Sequence, residues 1–240
     1  MNPMSSSVVD APKAVLISGA SRGIGRAIAD RFLLNGWTVL GLARQPADLP
    51  FPLLVCDVGQ PDHLQATMTK AFQEVEGLQV LVNNAGVYGA TPWQMQNLAE
   101  FRSTMAVNAE AAYVACSAFA RGLIERGRPG SIVNLSSVSA RIGSVDVAYS
   151  ASKAAIEGMT IAFARALAPE QIRVNAVAPG PVHTEMGARI PPERQQDYKR
   201  TILQGRFGEP EEIASTVFFL AGPEASLITG AVIRCDGGML

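Results

Sequence analysis

The sequence predicts an α/β fold, a doubly wound parallel sheet of about seven strands with helices on both faces. Three observations predict it. Short β-branched runs alternate with longer stretches of helical period. A glycine-rich turn joins the first such run to the first helical stretch. The chain is 48% hydrophobic and only 17% charged, the balance of a globular protein with a well-filled core.

Residues 14–17 read as the first strand and 23–34 as the first helix, with Ile24, Ala27, Ile28 and Phe32 near the 3.6-residue period and Gly36 as its stop. Strands follow at 38–42 and 53–56. A helix at 61–75 begins with proline, which suits the first helical turn. A fourth strand, 80–82, precedes one long helix at 101–126, with a break expected near Asn108. Residues 131–135 form the fifth strand and 148–168 the next long helix, closed by Pro169. The sixth strand is 172–177. Residues 184–203 read as irregular and partly helical, 210–220 as a helix, and 231–235 as the last strand. Right-handed crossovers between such parallel strands give the doubly wound arrangement.

The whole chain, 1–240, reads as one domain, with 1–12 as a flexible tail that lacks the basic and apolar regions of a signal peptide. A net charge of −1 gives no electrostatic reason to expect nucleic acid or an anionic membrane as partner. No apolar run reaches membrane-spanning length. Cys56, Cys116 and Cys235 are scattered, which argues for reduced thiols and a cytoplasmic location. His63 and His183 lie far apart without a carboxylate pair, so no catalytic metal is expected, and His183 receives no role.

The first strand runs into Ser18-Gly19-Ala20-Ser21-Arg22-Gly23-Ile24-Gly25. Glycines there turn tightly, admit a pyrophosphate to the backbone and let helix pack on strand, while the helix N-terminus favours the phosphate charge. Asp57-Val58 follows the third strand, Asn83-Asn84-Ala85-Gly86 the fourth, and Pro179-Gly180 with Val182 and Thr184 the sixth. These motifs, in this order and each at the C-terminal end of a strand, resemble the short-chain dehydrogenase/reductase family over nearly the whole chain. The resemblance implies a Rossmann-like fold and an oxidoreductase that moves a hydride between a nicotinamide dinucleotide and a carbonyl/alcohol pair. It implies cofactor contacts from Gly19, Ser21, Arg22, Gly23, Ile24, Gly25, Asp57, Val58, Asn84, Ala85, Gly86, Pro179, Gly180, Val182 and Thr184, with Tyr149 and Lys153 reaching the nicotinamide side.

An acid at the end of the second strand would bind free ribose hydroxyls and repel a 2′-phosphate. The sequence there is Leu42-Ala43-Arg44. Arg44 offers a fork of donors, and Arg22 can approach from the glycine turn, so NADP(H) is preferred and NAD(H) is the alternative.

Tyr149 and Lys153 lie four apart at the start of a long helix and share a face. A phenol of pKa about 10 is a poor acid/base at neutral pH, and an adjacent ammonium would lower it. In the family the tyrosine exchanges a proton with the substrate oxygen, a serine holds that oxygen, and an asparagine at a helix kink links the lysine to solvent through a water. Asn108 matches the last. The family serine precedes the tyrosine by about 13 residues. Ser137 lies 12 before Tyr149 and Ser136 lies 13. The surrounding motif favours Ser137, and Ser136 stays open.

The stretch 205–238 is similar to the 3-oxoacyl-(acyl-carrier-protein) reductase branch, which implies an acyl thioester substrate. That branch carries basic residues near the site mouth for an acidic carrier. Arg128 matches one of them, whereas Glu170 has the wrong sign for the other. A carbonyl reductase of broader range, or an NAD-dependent alcohol, sugar or steroid dehydrogenase, therefore stays open. A nucleotide-sensing scaffold is the non-enzyme alternative, disfavoured by the complete Asn108, Ser137, Tyr149 and Lys153 set. The family's packing surfaces imply a homotetramer, with a dimer next.

Overall fold

A computed structural model of the chain describes residues 12–190 and 192–239. The expected tail, 1–12, therefore lies outside the described residues apart from Pro12. The elements in chain order are β1 (Ala14–Ser18), α1 (Gly23–Leu34), β2 (Thr38–Ala43), β3 (Leu53–Val55), α2 (Pro61–Glu74) and β4 (Leu78–Asn83). Then come α3 (Leu98–Met105), a π turn (Ala106–Glu110), α4 (Ala111–Ile124), β5 (Gly130–Leu135), α5 (Ser139–Ile142) and α6 (Val147–Leu167). The chain ends with β6 (Ile172–Pro179), α7 (Pro192–Thr201), α8 (Pro210–Ala221) and β7 (Val232–Cys235).

The seven strands form one parallel sheet in the order β3-β2-β1-β4-β5-β6-β7. From β1 the chain winds outward to β3, then crosses back to β4 beside β1. That reversal opens a crevice at the C-terminal ends of β1 and β4, where open α/β sheets bind ligands.

Strand alternation splits the core in two. Ala14 and Leu16 of β1 face one layer with Leu64 and Met68 of α2, Phe119 and Leu123 of α4, and Ala164 and Leu167 of α6. Val15 and Ile17 face the other, with Ile28 and Phe32 of α1 and Ile213, Val217 and Leu220 of α8. Burial on both faces is why these strands read as continuous apolar runs. Arg173 on β6 donates to the carbonyls of Leu220, Ala221, Gly222 and Ile228, closing the C-terminal end of α8 against the sheet.

Two elements differ from expectation. The long helix expected at 101–126 begins earlier, at Leu98, because Asn97 and Glu100 form a reciprocal capping box. The break expected near Asn108 is present: the Ala111 N–H reaches back five residues to Ala106, forming the π turn that contains Asn108. The short helix α5 lies in what reads as loop sequence.

Candidate active site

The C-terminal edge of the sheet carries a cleft of about 760 Å³ that runs from the glycine turn to the start of α6. Its first wall is the β1–α1 turn. Gly19 has φ +68°, and a Cβ there would stand 2.9 Å from the Asn84 amide nitrogen. A Cβ on Gly25 would lie 2.1 Å from the Gly19 carbonyl oxygen, so Gly25 permits helix–turn packing and does not itself line the cleft. The remaining expected cofactor residues all line it.

Ser18 bolts the two central strand ends together. Its hydroxyl accepts from the Asn84 and Ala85 N–H groups, both at 3.1 Å. The Asn84 side chain donates back to the Ser18 and Gly19 carbonyls at 3.0 and 3.1 Å. Beneath them, Asn83 donates to Asn134 at 2.9 Å, and Asn134 donates to Thr160 at 2.9 Å, so the polar cross-links under the floor are satisfied.

Asp57 accepts from the Gly59 N–H at 3.0 Å, which holds the wall after β3. Arg44 is exposed at the end of β2. Arg22 is exposed as well, and its guanidinium pairs with Glu185 across the cleft at 2.5 Å. The cradle fits a dinucleotide: a long trough, a helix N-terminus at its centre, and glycines wherever a side chain would intrude. Gly86 continues the pattern, since a Cβ there would stand 3.3 Å from Asn108 Oδ1 and 3.6 Å from Lys153 Nζ.

At the other end the structure brings Ser137, Tyr149 and Lys153 together. The N-terminus of α6 is capped by buried Asp146, which accepts from the Tyr149 N–H at 3.0 Å, the Gly89 N–H at 3.1 Å and the Gln96 side chain at 2.8 Å. This fixes Tyr149 in the first turn. The two serines that come after the end of β5 diverge. Ser136 points at α6, where its hydroxyl meets the Lys153 carbonyl and Glu157, both at 3.2 Å. Ser137 lines the cleft near the Tyr149 hydroxyl, and its own hydroxyl accepts from the Ser139 N–H at 3.1 Å.

Burial pushes the Tyr149 phenol up to about 12; the nearby Ser137 hydroxyl opposes that shift, and Tyr88 and Asp146 add to it. In the protein alone, desolvation thus outweighs the lowering expected from the lysine. Lys153 Nζ sits 5.7 Å from the Tyr149 ring centre and donates to the Leu135 carbonyl at 2.7 Å. Its own burial lowers it to about 8.

Asn108 lies behind the cleft wall, 1% exposed. Its amide accepts from the Val87 N–H at 2.8 Å and donates to the Val87 carbonyl and to Ser152, both at 3.0 Å. It ties the loop after β4 to α6 at Ser152, the residue before the lysine.

Three lining residues carry no motif signal. Tyr88 packs against Tyr149 with ring centres 4.8 Å apart and planes 60° to one another. Arg189 donates to the Tyr88 carbonyl at 3.0 Å. Glu185 is the partner of Arg22. Arg128 and Glu170 lie just before β5 and β6, at the N-terminal edge of the sheet, so within one chain neither flanks the cleft. Among the described residues no cluster of His, Cys, Asp or Glu could hold a metal, and no helix is long and apolar enough to cross a membrane.

A family model described as enoyl-(acyl carrier protein) reductase matches residues 19–240. The 3-oxoacyl-(acyl-carrier-protein) reductase FabG of Aquifex aeolicus is 38% identical over 95% of this chain and 97% of its own. The 3beta-hydroxysteroid dehydrogenase 1 of Eggerthella lenta is 32% identical over 95% of this chain and 93% of its own. Among solved structures, the aldohexose dehydrogenase of Thermoplasma acidophilum superposes with TM-score 0.85 at 36% identity, covering 95% of this chain and 94% of that one. A double mutant of a Serratia marcescens short-chain dehydrogenase/reductase gives 0.86 at 34% identity, covering 95% and 97%. In sequence and in fold, the chain is a member of the short-chain dehydrogenase/reductase family of oxidoreductases.

Proposed function

We propose that the protein is an NADP(H)-dependent carbonyl reductase whose substrates are 3-oxoacyl thioesters. The observation that carries the reading is the meeting of Ser137, Tyr149 and Lys153 at the inner end of a dinucleotide-shaped cleft. A bound nicotinamide would supply the hydride. The chain's own groups do the rest. Ser137 holds the carbonyl oxygen beside the phenol. Tyr149, kept protonated by its surroundings, delivers a proton to that oxygen as negative charge develops on it. Lys153, a cation at neutral pH, stabilises the phenolate left behind. Asn108 positions the loop at Val87 and α6 around them.

A protonated phenol suits the reductive direction. The acyl thioester class is supported by the FabG relatives, which are 34–38% identical over 95% of this chain. The phosphorylated cofactor is supported by Arg44 and Arg22 on the cleft and by Ala43-Arg44 in place of an acid at the end of β2. A ketone, sugar or steroid alcohol is the second reading, favoured by the apolar lining from Ile142, Met186, Ile190 and Met239. Copies pairing into a homotetramer would cover exposed Tyr113 on α4 and Ile161 on α6.

The test tracks the disappearance of reduced-nicotinamide absorbance with NADPH or NADH against β-ketoacyl thioesters and simple ketones. Thioester turnover with NADPH is expected. Turnover of ketones alone would select the second reading. Tyr149→Phe should abolish turnover and leave cofactor affinity intact; retained turnover would remove the tyrosine from its role.

A further inference from the structure

Arg22 is expected to help hold a 2′-phosphate, yet its guanidinium is drawn across the cleft to a carboxylate. Arg22 Nη1 meets Glu185 Oε2 at 2.5 Å, and the two residues stand 163 positions apart in sequence. The pairing is built in from both sides. The glycine turn lies against the loop after β6: a Cβ on Gly23 would touch the Thr184 methyl at 3.4 Å. Glu185 itself is presented on a fixed turn. Thr184 Oγ1 accepts from the Gly187 N–H at 3.0 Å, and the Thr184 carbonyl accepts from the Ala188 N–H at 2.9 Å. Both partners line the cleft, and both are exposed, with side chains 63% and 72% accessible. Glu185 therefore places a carboxylate against Arg22 where a cofactor phosphate would compete with it.

We infer that Glu185 is a specificity-determining residue that weakens this protein's preference for the phosphorylated cofactor. The inference rests on the NADP(H) reading proposed above. A 2′-phosphate carries up to two negative charges, and the Glu185 carboxylate repels it whether Arg22 leaves the ion pair or shares its donors between both anions. A cofactor with a free ribose hydroxyl meets no such repulsion. Glu185 thus exerts from the β6 side part of the discrimination that an acid at the end of β2 would exert, and Arg44 answers it from the opposite wall. Because the pair is exposed, its effect is modest and screened by salt.

The test is calorimetric binding of NADP+ and NAD+ to the cofactor-free protein, without turnover, for the wild type, Glu185→Gln, Arg22→Gln and the double variant. Glu185→Gln should tighten NADP+ binding by about two- to fivefold at low salt, the range of an exposed ion pair, and leave NAD+ binding unchanged. The gain should shrink but persist in the Arg22→Gln background, where competition for the guanidinium is gone and the direct repulsion remains. If wild type prefers NADP+ and Arg22→Gln weakens it, but Glu185→Gln leaves the ratio of affinities unchanged or lowers it, the inference about Glu185 is wrong and the cofactor reading stands. If the wild type binds both cofactors equally and Arg22→Gln changes neither, the phosphate assignment fails and takes this inference with it.

Discussion

Lys153→Met should make the cofactor-free protein more stable near neutral pH and abolish its pH response in one window. Lys153 is 4% exposed, and burial brings its ammonium from an ordinary 10.5 to about 8. At about pH 7 that displacement corresponds to roughly 3 kcal/mol of native-state penalty for keeping the charge. Methionine fills the same volume without a charge but forfeits the 2.7 Å hydrogen bond to the Leu135 carbonyl. Losing that bond costs about 1–2 kcal/mol, which leaves a net gain of roughly 1–2 kcal/mol. The pH dependence isolates the charge. The folded pKa is the lower one, so between about 8 and 10.5 the unfolded chain binds more protons, and wild-type stability from this group rises with pH. Urea unfolding of both proteins should show the wild type gaining about 2 kcal/mol on Lys153→Met between about pH 7 and pH 9.5. A difference that stays flat across that range would refute the argument, because it would mean the lysine titrates alike in both states.

The remaining predictions concern the cleft. Ser137→Ala should cost turnover far more than Ser136→Ala, measured as kcat with a saturating ketone or thioester; the reverse order would reassign the oxygen-holding hydroxyl. Arg44→Asp should move the ratio of NADP+ to NAD+ affinities toward NAD+, since an acid there repels the phosphate; an unchanged ratio would remove Arg44 from phosphate binding. Asp146→Ala strips a helix cap and two further acceptor contacts, so thermal or denaturant unfolding should show a loss of about 2–3 kcal/mol. A loss under about 0.5 kcal/mol would show that water replaces those contacts freely.

The features legible in the sequence are those written locally. The apolar runs of β1, β4, β5 and β6 announce strands because both faces of the sheet are covered. Gly19, Gly23 and Gly25 announce the turn because a Cβ is barred or the backbone is left-handed there. Tyr149 and Lys153 announce themselves by a one-turn spacing. Counting cannot separate Ser136 from Ser137; their partners do, since the Ser136 hydroxyl is taken up by the Lys153 carbonyl and Glu157 while the Ser137 hydroxyl stays beside Tyr149. Glu185 and Tyr88 are silent because their meaning lies in partners distant along the chain, Arg22 and Tyr149. The capping box at Asn97 and Glu100 is a local signal that the apolar period alone does not carry, so a helix start at 101 falls three residues late.

The π turn has a consequence for what the chain can tolerate. Its wider winding adds a residue to one turn and rotates the downstream helix by roughly a quarter turn relative to an uninterrupted one. Before it, α3 leans on α6; after it, α4 presents Ala115, Phe119 and Leu123 to α2 and the sheet. The turn is thus a phase shifter between two packing partners. Regular winding at unchanged length would carry the Phe119 face away from its layer, whereas deleting one residue from Ala106–Glu110 would remove the extra residue and leave that face in phase. What this segment has to conserve is the rotation it delivers to α4, and that constraint comes from geometry alone.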